Sequence, residues 1–440
     1  MRTGKKLLVA ATMAVALTGL AACGSSGSTS GSSAGGSAGA SSSEIDFWHI
    51  QTTGDGPKLI QDAVNRFEAD NPGVKVNISP VANDAYKDKL KVALGANSAP
   101  CIFPTWGGGP LADYVKAGQV VDLSSYVNAN SYKDRFLPAS WTNVTFDDKV
   151  YGIPVENSAV AVIWYNKKVF EKYGLTPPTT WDDFTKVANT LKGNGVAPIA
   201  LANKPKWPGI MWYDYLVTRF GGNEAFAKAA LRKGGAFTDQ PFIQAGDTLT
   251  QMVNDGWFAP GFNSTDYDSG GARKLLYSGK AAMQLMGNWE YGNFVADKQA
   301  DNFGFFPFPS VNGGAGDPSE LLGTIGDNFY SVSATCKDPA AAFKVIQYLI
   351  DDTSVKARVA AGRIPPVKGL TLTDPVSQDL AKLMAAAKSV QLWWDQYMPA
   401  EFAQLHLNQV QSLMGKSTTS QDMAQKQEDL ANKLLGPSSS

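Results

Sequence analysis

Histidine and cysteine are scarce in this chain: two of the first and three of the second among 440 residues. His49 and His406 have no cysteine or histidine neighbour at ligand spacing, so no zinc site is expected, and no other metal or cofactor is expected. A basic surplus is also missing. Lysine and arginine number 39 against 40 acidic residues, and without Arg2, Lys5 and Lys6 of the leader the net charge is about −4. No nucleic-acid partner is therefore expected, nor a polybasic grip on anionic lipid. Beyond the leader no apolar run is long enough to span a bilayer, and no internal repeat is visible. The remaining body, from about residue 44 to 437, is too long for one typical core and comfortable for two α/β domains.

What is present begins with a leader. The basic residues precede an apolar run from Leu7, which ends in Leu20-Ala21-Ala22-Cys23. Residues 1–22 read as a signal peptide. The Leu-Ala-Ala-Cys ending resembles a bacterial lipobox, in which cleavage leaves Cys23 as a lipid-bearing N-terminus; the alternative is an ordinary secretory signal with a chance cysteine. Residues 24–43 are only Gly, Ser, Ala and Thr, so 23–43 is expected to be a flexible tether reaching roughly 25 Å root-mean-square. Gly35-Gly36-Ser37-Ala38-Gly39 matches a nucleophile-elbow pattern but lies in this low-complexity stretch, without a strand before it or a helix after it. Such a protein works on the outer face of the cell membrane, away from ATP and NAD. The remaining thiols, Cys101 and Cys336, are in an oxidising compartment either a disulfide or two separate buried thiols, and the residues alone leave both open.

Periodicity places the elements. Residues 45–50 read as a strand, and Thr52-Thr53-Gly54-Asp55-Gly56 as a turn. Pro57 opens a helix whose apolar stripe is Leu59, Ile60, Ala63, Val64 and Phe67, and Asn71-Pro72-Gly73 stops it. Val74, Val76 and Ile78 alternate as a second strand, which makes a β-α-β unit with parallel strands. A helix over 86–94 and a strand over 101–104 follow. Open sheets of this type bind ligands beyond the carboxyl ends of their strands, which points at 48–54, at Asn83 and Asp84, and at 106–109. Further helices are expected over 182–191, 241–255, 340–350, 377–387 and 401–414, with 332–333 in a strand. Thr418 with Gln421 reads as a capping box opening a last helix with Met423, Leu430 and Leu434 buried. His406, between Phe402 and Val410 at helical spacing, reads as a core or boundary histidine.

Three stretches carry a family resemblance. Trp164-Tyr165-Asn166-Lys167-Lys168-Val169-Phe170 continues through Gly174-Leu175 to Pro177-Pro178-Thr179-Thr180-Trp181. Gly279-Lys280-Ala281-Ala282-Met283 leads to Gly287-Asn288-Trp289, and Asn71-Pro72-Gly73-Val74-Lys75-Val76 forms the first helix–strand joint. In this order and spacing the chain resembles extracellular solute-binding proteins of sugar ABC importers, the maltodextrin-binding kind, over essentially all of 44–436. The resemblance implies an α/β fold of two α/β lobes with a multi-strand hinge, like type II periplasmic binding proteins. Lobe one would hold 44–155 and 328–369, and lobe two 156–327 and 370–436. Val150-Tyr151-Gly152-Ile153-Pro154 resembles the first hinge strand, and Gly326-Asp327-Asn328-Phe329-Tyr330 sits at the second crossing. The returning strand of the family lies antiparallel beside the third strand, which would bring Cys336 to Cys101 as a disulfide.

The implied ligand is a neutral sugar. A pyranose offers flat C–H faces, which suit indole and phenol rings, and a belt of hydroxyls, which suit carboxylates, amides and guanidinium. Aromatics beside polar groups recur at Trp48-His49, Trp212-Tyr213-Asp214, Asn288-Trp289-Glu290 and Trp393-Trp394-Asp395. With them, Trp106, Asn83, Asp84, Glu156, Asp327, Asn328 and Arg363 are the candidate ligand-binding residues. Adjacent helical residues point about 100° apart, so one of Trp393 and Trp394 is expected to face the cleft. Trp164 and Trp181 are expected to pack lobe two. The resemblance is nearest to actinobacterial members, some taking plant-wall oligosaccharides, which favours xylobiose or xylo-oligosaccharides ahead of cello- and malto-oligosaccharides. The expected partners are the oligosaccharide and the permease subunits of an importer, with the membrane reached through Cys23 alone and the protein monomeric. Two alternatives are a surface glycoside hydrolase, with Glu290 and Asp395 as nominal carboxylates, and the same scaffold holding a peptide or polyamine.

Overall fold

The computed structural model describes residues 43–439, without the side chain of Asp84. The leader, Cys23 and the tether as far as Ser42 lie outside the described residues. The chain opens with β1 (Ser43–His49), β2 (Val74–Pro80) and β3 (Ile102–Thr105), and β1 pairs in parallel with both of the others. Parallel neighbours need crossover connections. These are the helices Gly56–Asp70 and Asn83–Gly95. The first has Pro57 in its opening turn, buries Ile60, Ala63, Val64 and Phe67, and ends where the Asn71 amide donates to the Phe67 carbonyl.

A hairpin of β4 (Thr145–Phe146) and β5 (Lys149–Val150) follows, turning at Asp147 and Asp148 with φ of 49° and 61°. Next come β6 (Ile153–Asn166), β7 (Ala197–Ile199), β8 (Ala281–Gly287), β9 (Phe303–Phe306), β10 (Glu320–Val332) and β11 (Ser389–Gln391). One sheet runs β2-β1-β3-β10-β6-β8-β7, with β11 against β10 and β9 against β6. β10 lies antiparallel to β3, pairing Phe329 with Thr105 and Val332 with Ile102. Just beyond the Ile102–Val332 end of that pairing, Cys101 and Cys336 form a disulfide.

Two hydrophobic cores are strung on this sheet. The first draws on 45–155 and 329–367, the second on 159–322 and 364–431. β6 and β10 belong to both. Ile153 and Val155 pack in the first core while 159–164 pack in the second; Leu321 and Leu322 pack in the second while Phe329, Tyr330 and Val332 pack in the first. A third passage occurs where Ile364 joins the second core and Val367 the first.

Two local expectations need adjustment, and the reading of His406 as a core histidine holds. The hinge run 150–154 is broken: β5 ends at Val150, Tyr151 donates its N–H to Val144, and β6 begins at Ile153. The last helix, Ser420–Leu435, is capped by Thr419, whose hydroxyl accepts from the Asp422 N–H, one residue later than the Thr418–Gln421 box. That shift carries Gln427 and Glu428 inward beside Met423, while Leu430 and Leu434 are half-buried. His406 is fully buried between Asp214 at 2.9 Å and Gln427 at 3.1 Å.

Candidate functional site: a cleft between the two cores

A cleft of about 1040 Å³, including solvent in its mouth, opens where the two cores meet, at the upper end of the ~300–1,000 Å³ usual for ligand sites. The first core supplies segments beyond its strand ends: Gln51, Thr52 and Thr53 after β1, Asn83 after β2, and Trp106 after β3. The bridging strands form the floor, with Glu156 and Asn157 on β6 and Asp327 and Asn328 on β10. The second core supplies Trp207, Met211, Tyr267, Trp289, Trp393, Asp395 and Gln396.

Three indoles and a phenol make an aromatic wall. Trp289 stands with Trp393 at a ring separation of 5.9 Å and with Trp207 at 6.1 Å; Trp207 meets Tyr267 edge-on at 4.7 Å. The Trp289 ring is held by a chain of bonds. Its Nε1 donates to the Tyr267 hydroxyl at 3.0 Å, and that hydroxyl donates to Glu290 at 3.0 Å. Glu290 also accepts from Arg273 and Asn293. Burial and the neighbouring Glu290 charge push the Tyr267 phenol well up, so it stays a donor. Gly287 is required beneath the ring, because a methyl group there would occupy the space of the Trp289 indole.

The floor is polar and partly committed. Glu156 accepts from Arg358 and Arg363, each at 2.7 Å, and from Tyr330 at 3.2 Å. Arg363 also donates to Gln51 at 2.9 Å. Asp395 is ion-paired with Lys87 at 2.8 Å across the two cores. Burial raises Asp327 to about 7 against the opposing Asn328 N–H bond, with Glu156 and Asp395 adding to the rise. Three buried atoms on cleft residues lack a hydrogen-bond partner among the described residues: Asn157 Nδ2, Asn328 Oδ1 and Gln396 Oε1. The Asn157 assignment is fixed because its Oδ1 accepts from Ile364 N–H at 2.7 Å. Orphaned groups of this kind cost free energy unless a ligand satisfies them.

Of the candidates named from the sequence, Asn83, Trp106, Glu156, Trp289, Asp327, Asn328, Arg363, Trp393 and Asp395 line the cleft. Asp84 opens the helix after β2, and its side chain is outside the description. The others stand elsewhere. Trp48 alternates to the outer face of β1, where Lys89 caps its ring at 4.1 Å, and His49 alternates inward to the first core. Burial lowers the His49 pKa, partly countered by Glu156. Trp212, Tyr213 and Asp214 lie in the helix Trp207–Leu231, which is buried on every face through its first three turns. Trp212 packs among Phe184, Phe258 and Phe308, Tyr213 donates to the Phe242 carbonyl, and Asp214 is covered by His406. Burial raises Asp214 to about 6, with His406 pulling the other way. Asn288 ties β6, accepting from Val160 N–H and donating to the Ser158 carbonyl. Trp394 is stacked on Phe226 at 4.1 Å, so Trp393 is the one of the pair that reaches the cleft. Glu290, the nominal catalytic carboxylate, is fully buried behind Trp289.

Trp207, Ile210, Met211, Tyr267, Asp268, Asn157, Asn293, Lys87 and Gln396 were missed. Trp207, Ile210 and Met211 at i, i+3 and i+4 form one helical face, a legible signal. The remainder come together only through distant contacts.

Residues 51–356 match the bacterial extracellular solute-binding protein family. An uncharacterized ABC transporter extracellular-binding protein of Pyrococcus horikoshii is 27% identical over 358 residues, 79% of this chain and 77% of that one. A solved structure from work on xylan utilization by the thermophilic bacterium Caldanaerobius polysaccharolyticus is 33% identical, with a TM-score of 0.82, covering 88% of this chain and 99% of the other. A chitin oligosaccharide binding protein superposes with a TM-score of 0.81 at 26% identity, covering 89% and 98%. The paired cores on shared strands are thus two lobes of a known binding architecture, and the chain belongs to the bacterial extracellular solute-binding protein family.

Proposed function

We propose that this chain binds a neutral oligosaccharide between its lobes and delivers it, unaltered, to the permease subunits of an ABC importer. The carrying observation is the wall of Trp207, Trp289 and Trp393 facing a floor with orphaned amide atoms on Asn157, Asn328 and Gln396. Indoles match pyranose faces, and one free donor and two free acceptors match hydroxyls. The floor's charges are largely paired internally, which disfavours a polyamine or another ion. The solved relatives linked to xylan and to chitin oligosaccharide support a β-linked chain, and xylobiose or a xylo-oligosaccharide is the preferred ligand. Lobes of 44–155 with 328–369 and of 156–327 with 370–436 rotate about the bridging strands, and ligand shifts the balance toward the closed form. The protein acts as a monomer tethered through a lipid on Cys23; Cys23→Ala should release it from the membrane fraction.

A thermal-shift screen of xylo-, chito-, cello- and malto-oligosaccharides tests the reading. A ligand at 100 times its Kd adds about 2.7 kcal/mol of stability. Trp289→Ala should raise Kd at least thirtyfold, about 2 kcal/mol, with the fold intact by circular dichroism. A rise in melting temperature with amino acids or amines and with none of these glycans would refute the assignment. Shortened sugars accumulating on incubation would favour hydrolysis instead, which the buried, fully bonded Glu290 argues against.

A further inference from the structure

Beyond Trp106 and Gln396 a second groove opens between the lobes, about 2040 Å³ including the solvent in its mouth. One wall comes from the first lobe, with Leu90 on the helix Asn83–Gly95 and Tyr114 on the helix Gly108–Lys116. The other comes from the second lobe, with Leu407 on the helix Ala400–Met414 and Leu430 on the helix Ser420–Leu435. Lys87, Trp106, Asp395 and Gln396 line both this groove and the cleft.

We infer that the groove is a distal subsite for the same oligosaccharide, taking the sugar units of chains too long for the cleft. The inference rests on the carbohydrate reading above. Three observations carry it. The two spaces adjoin at Lys87, Trp106, Asp395 and Gln396, which line both, so a chain extended out of the cleft past these residues meets the groove. The groove repeats the cleft's chemistry, with the half-buried Tyr114 ring and leucine surface interleaved with the amides of Gln404 and Asn408. Its walls also carry paired charges, Lys87 with Asp395 at 2.8 Å and Lys433 with Glu401 at 3.0 Å. A neutral polyhydroxylated occupant bonds to both members of such pairs, whereas a strongly charged peptide finds no dominant opposite sign. Because the walls belong to different lobes, a long chain bridges them a second time and adds to the preference for closure.

Isothermal titration of the full chain with xylo-, chito-, cello- and malto-oligosaccharides of two to six units tests this. In the series that binds, affinity should rise at least tenfold from the shortest chain that fills the cleft to chains two or three units longer. Tyr114→Ala should abolish that gain and leave the short-chain Kd within twofold, which also shows that the variant is folded. A Kd that stays constant with added length in the unaltered protein overturns the inference while leaving the cleft reading standing. A Tyr114→Ala loss equal for short and long chains overturns it as well. No binding at any length in any series overturns the carbohydrate reading and this inference with it.

Discussion

Trp393 and Trp394 are neighbours with opposite duties. Trp393 reaches the cleft beside Trp289, whereas Trp394 is fully buried, with Phe226 parallel to it at 4.1 Å and Phe242 and His406 around it. Trp394→Ala should therefore cost about 3–5 kcal/mol of stability by leaving a core cavity, read as a shifted urea midpoint. Trp393→Ala should leave that midpoint nearly in place and weaken ligand binding at least thirtyfold, about 2 kcal/mol. Equal effects of the two variants on binding would contradict the assignment. Asp327 gives a second residue-level test. Burial lifts its pKa to about 7, while in the unfolded chain it titrates near 4. Between those values the folded state holds the extra proton, so this group makes stability fall as pH rises from about 4 to about 7, with no further change above. Asp327→Asn should remove that part of the slope, measured as unfolding free energy against pH.

At the scale of the element, the floor of the cleft is a place where two long strands fall out of register. β6 and β10 shift their pairing between Thr324 and Asp327 and again between Asp327 and Phe329. Gly326 has a φ of 86° and Asn328 a φ of 50°, the second being a residue type that tolerates the left-handed region. Thr324 bonds across the irregularity to the Gly326 carbonyl at 2.8 Å. The irregularity turns Asp327 and Asn328 into the cleft instead of continuing the ladder, as bulges near binding sites do. At Gly326 a methyl would meet Pro154, Phe329 and Ser140 at 3.1–3.2 Å, in a backbone conformation that disfavours any side chain. Gly326→Ala should destabilise the protein by about 1–2 kcal/mol and slow or reduce ligand-driven closure, seen by stopped-flow tryptophan fluorescence. Wild-type stability and closure in that variant would show that the hinge tolerates an ordinary residue.

For the whole molecule, the lobes meet away from the hinge as well as through it. The N-terminal turn of the helix Gly108–Lys116 abuts the backbone of 396–399 in the other lobe, and glycine is what permits the approach: a methyl on Gly109 would run into the Met398 carbonyl and the Pro399 nitrogen. Gly109→Ala should wedge the lobes apart. Small-angle scattering would then give a larger radius of gyration with ligand than the unaltered protein shows, together with weaker binding. An unchanged radius would mean that this contact does not limit closure.

Much of this was readable beforehand, for reasons of range. Helix Gly56–Asp70, strands β1 to β3 and the cap-bounded helices follow from periodicity and turn chemistry that act over a few residues, and the motifs ending at Trp289 announced the family. Each strand's alternation was legible too, but which side faced the core was not: that choice sent Trp48 outward and His49 inward. Trp212, Tyr213 and Asp214 looked like a binding cluster because aromatic and polar residues adjoin, and became core because their helix is enclosed on every side. Composition and local pattern by themselves determined the elements and the two-core scale. Only the tertiary structure decided that Trp207, Tyr267 and Trp393 stand around one indole, that Glu156 is claimed by two arginines, and that Lys87 reaches Asp395, 308 positions away. Such contacts depend on how the two cores are set against each other, and no short-range rule carries that information.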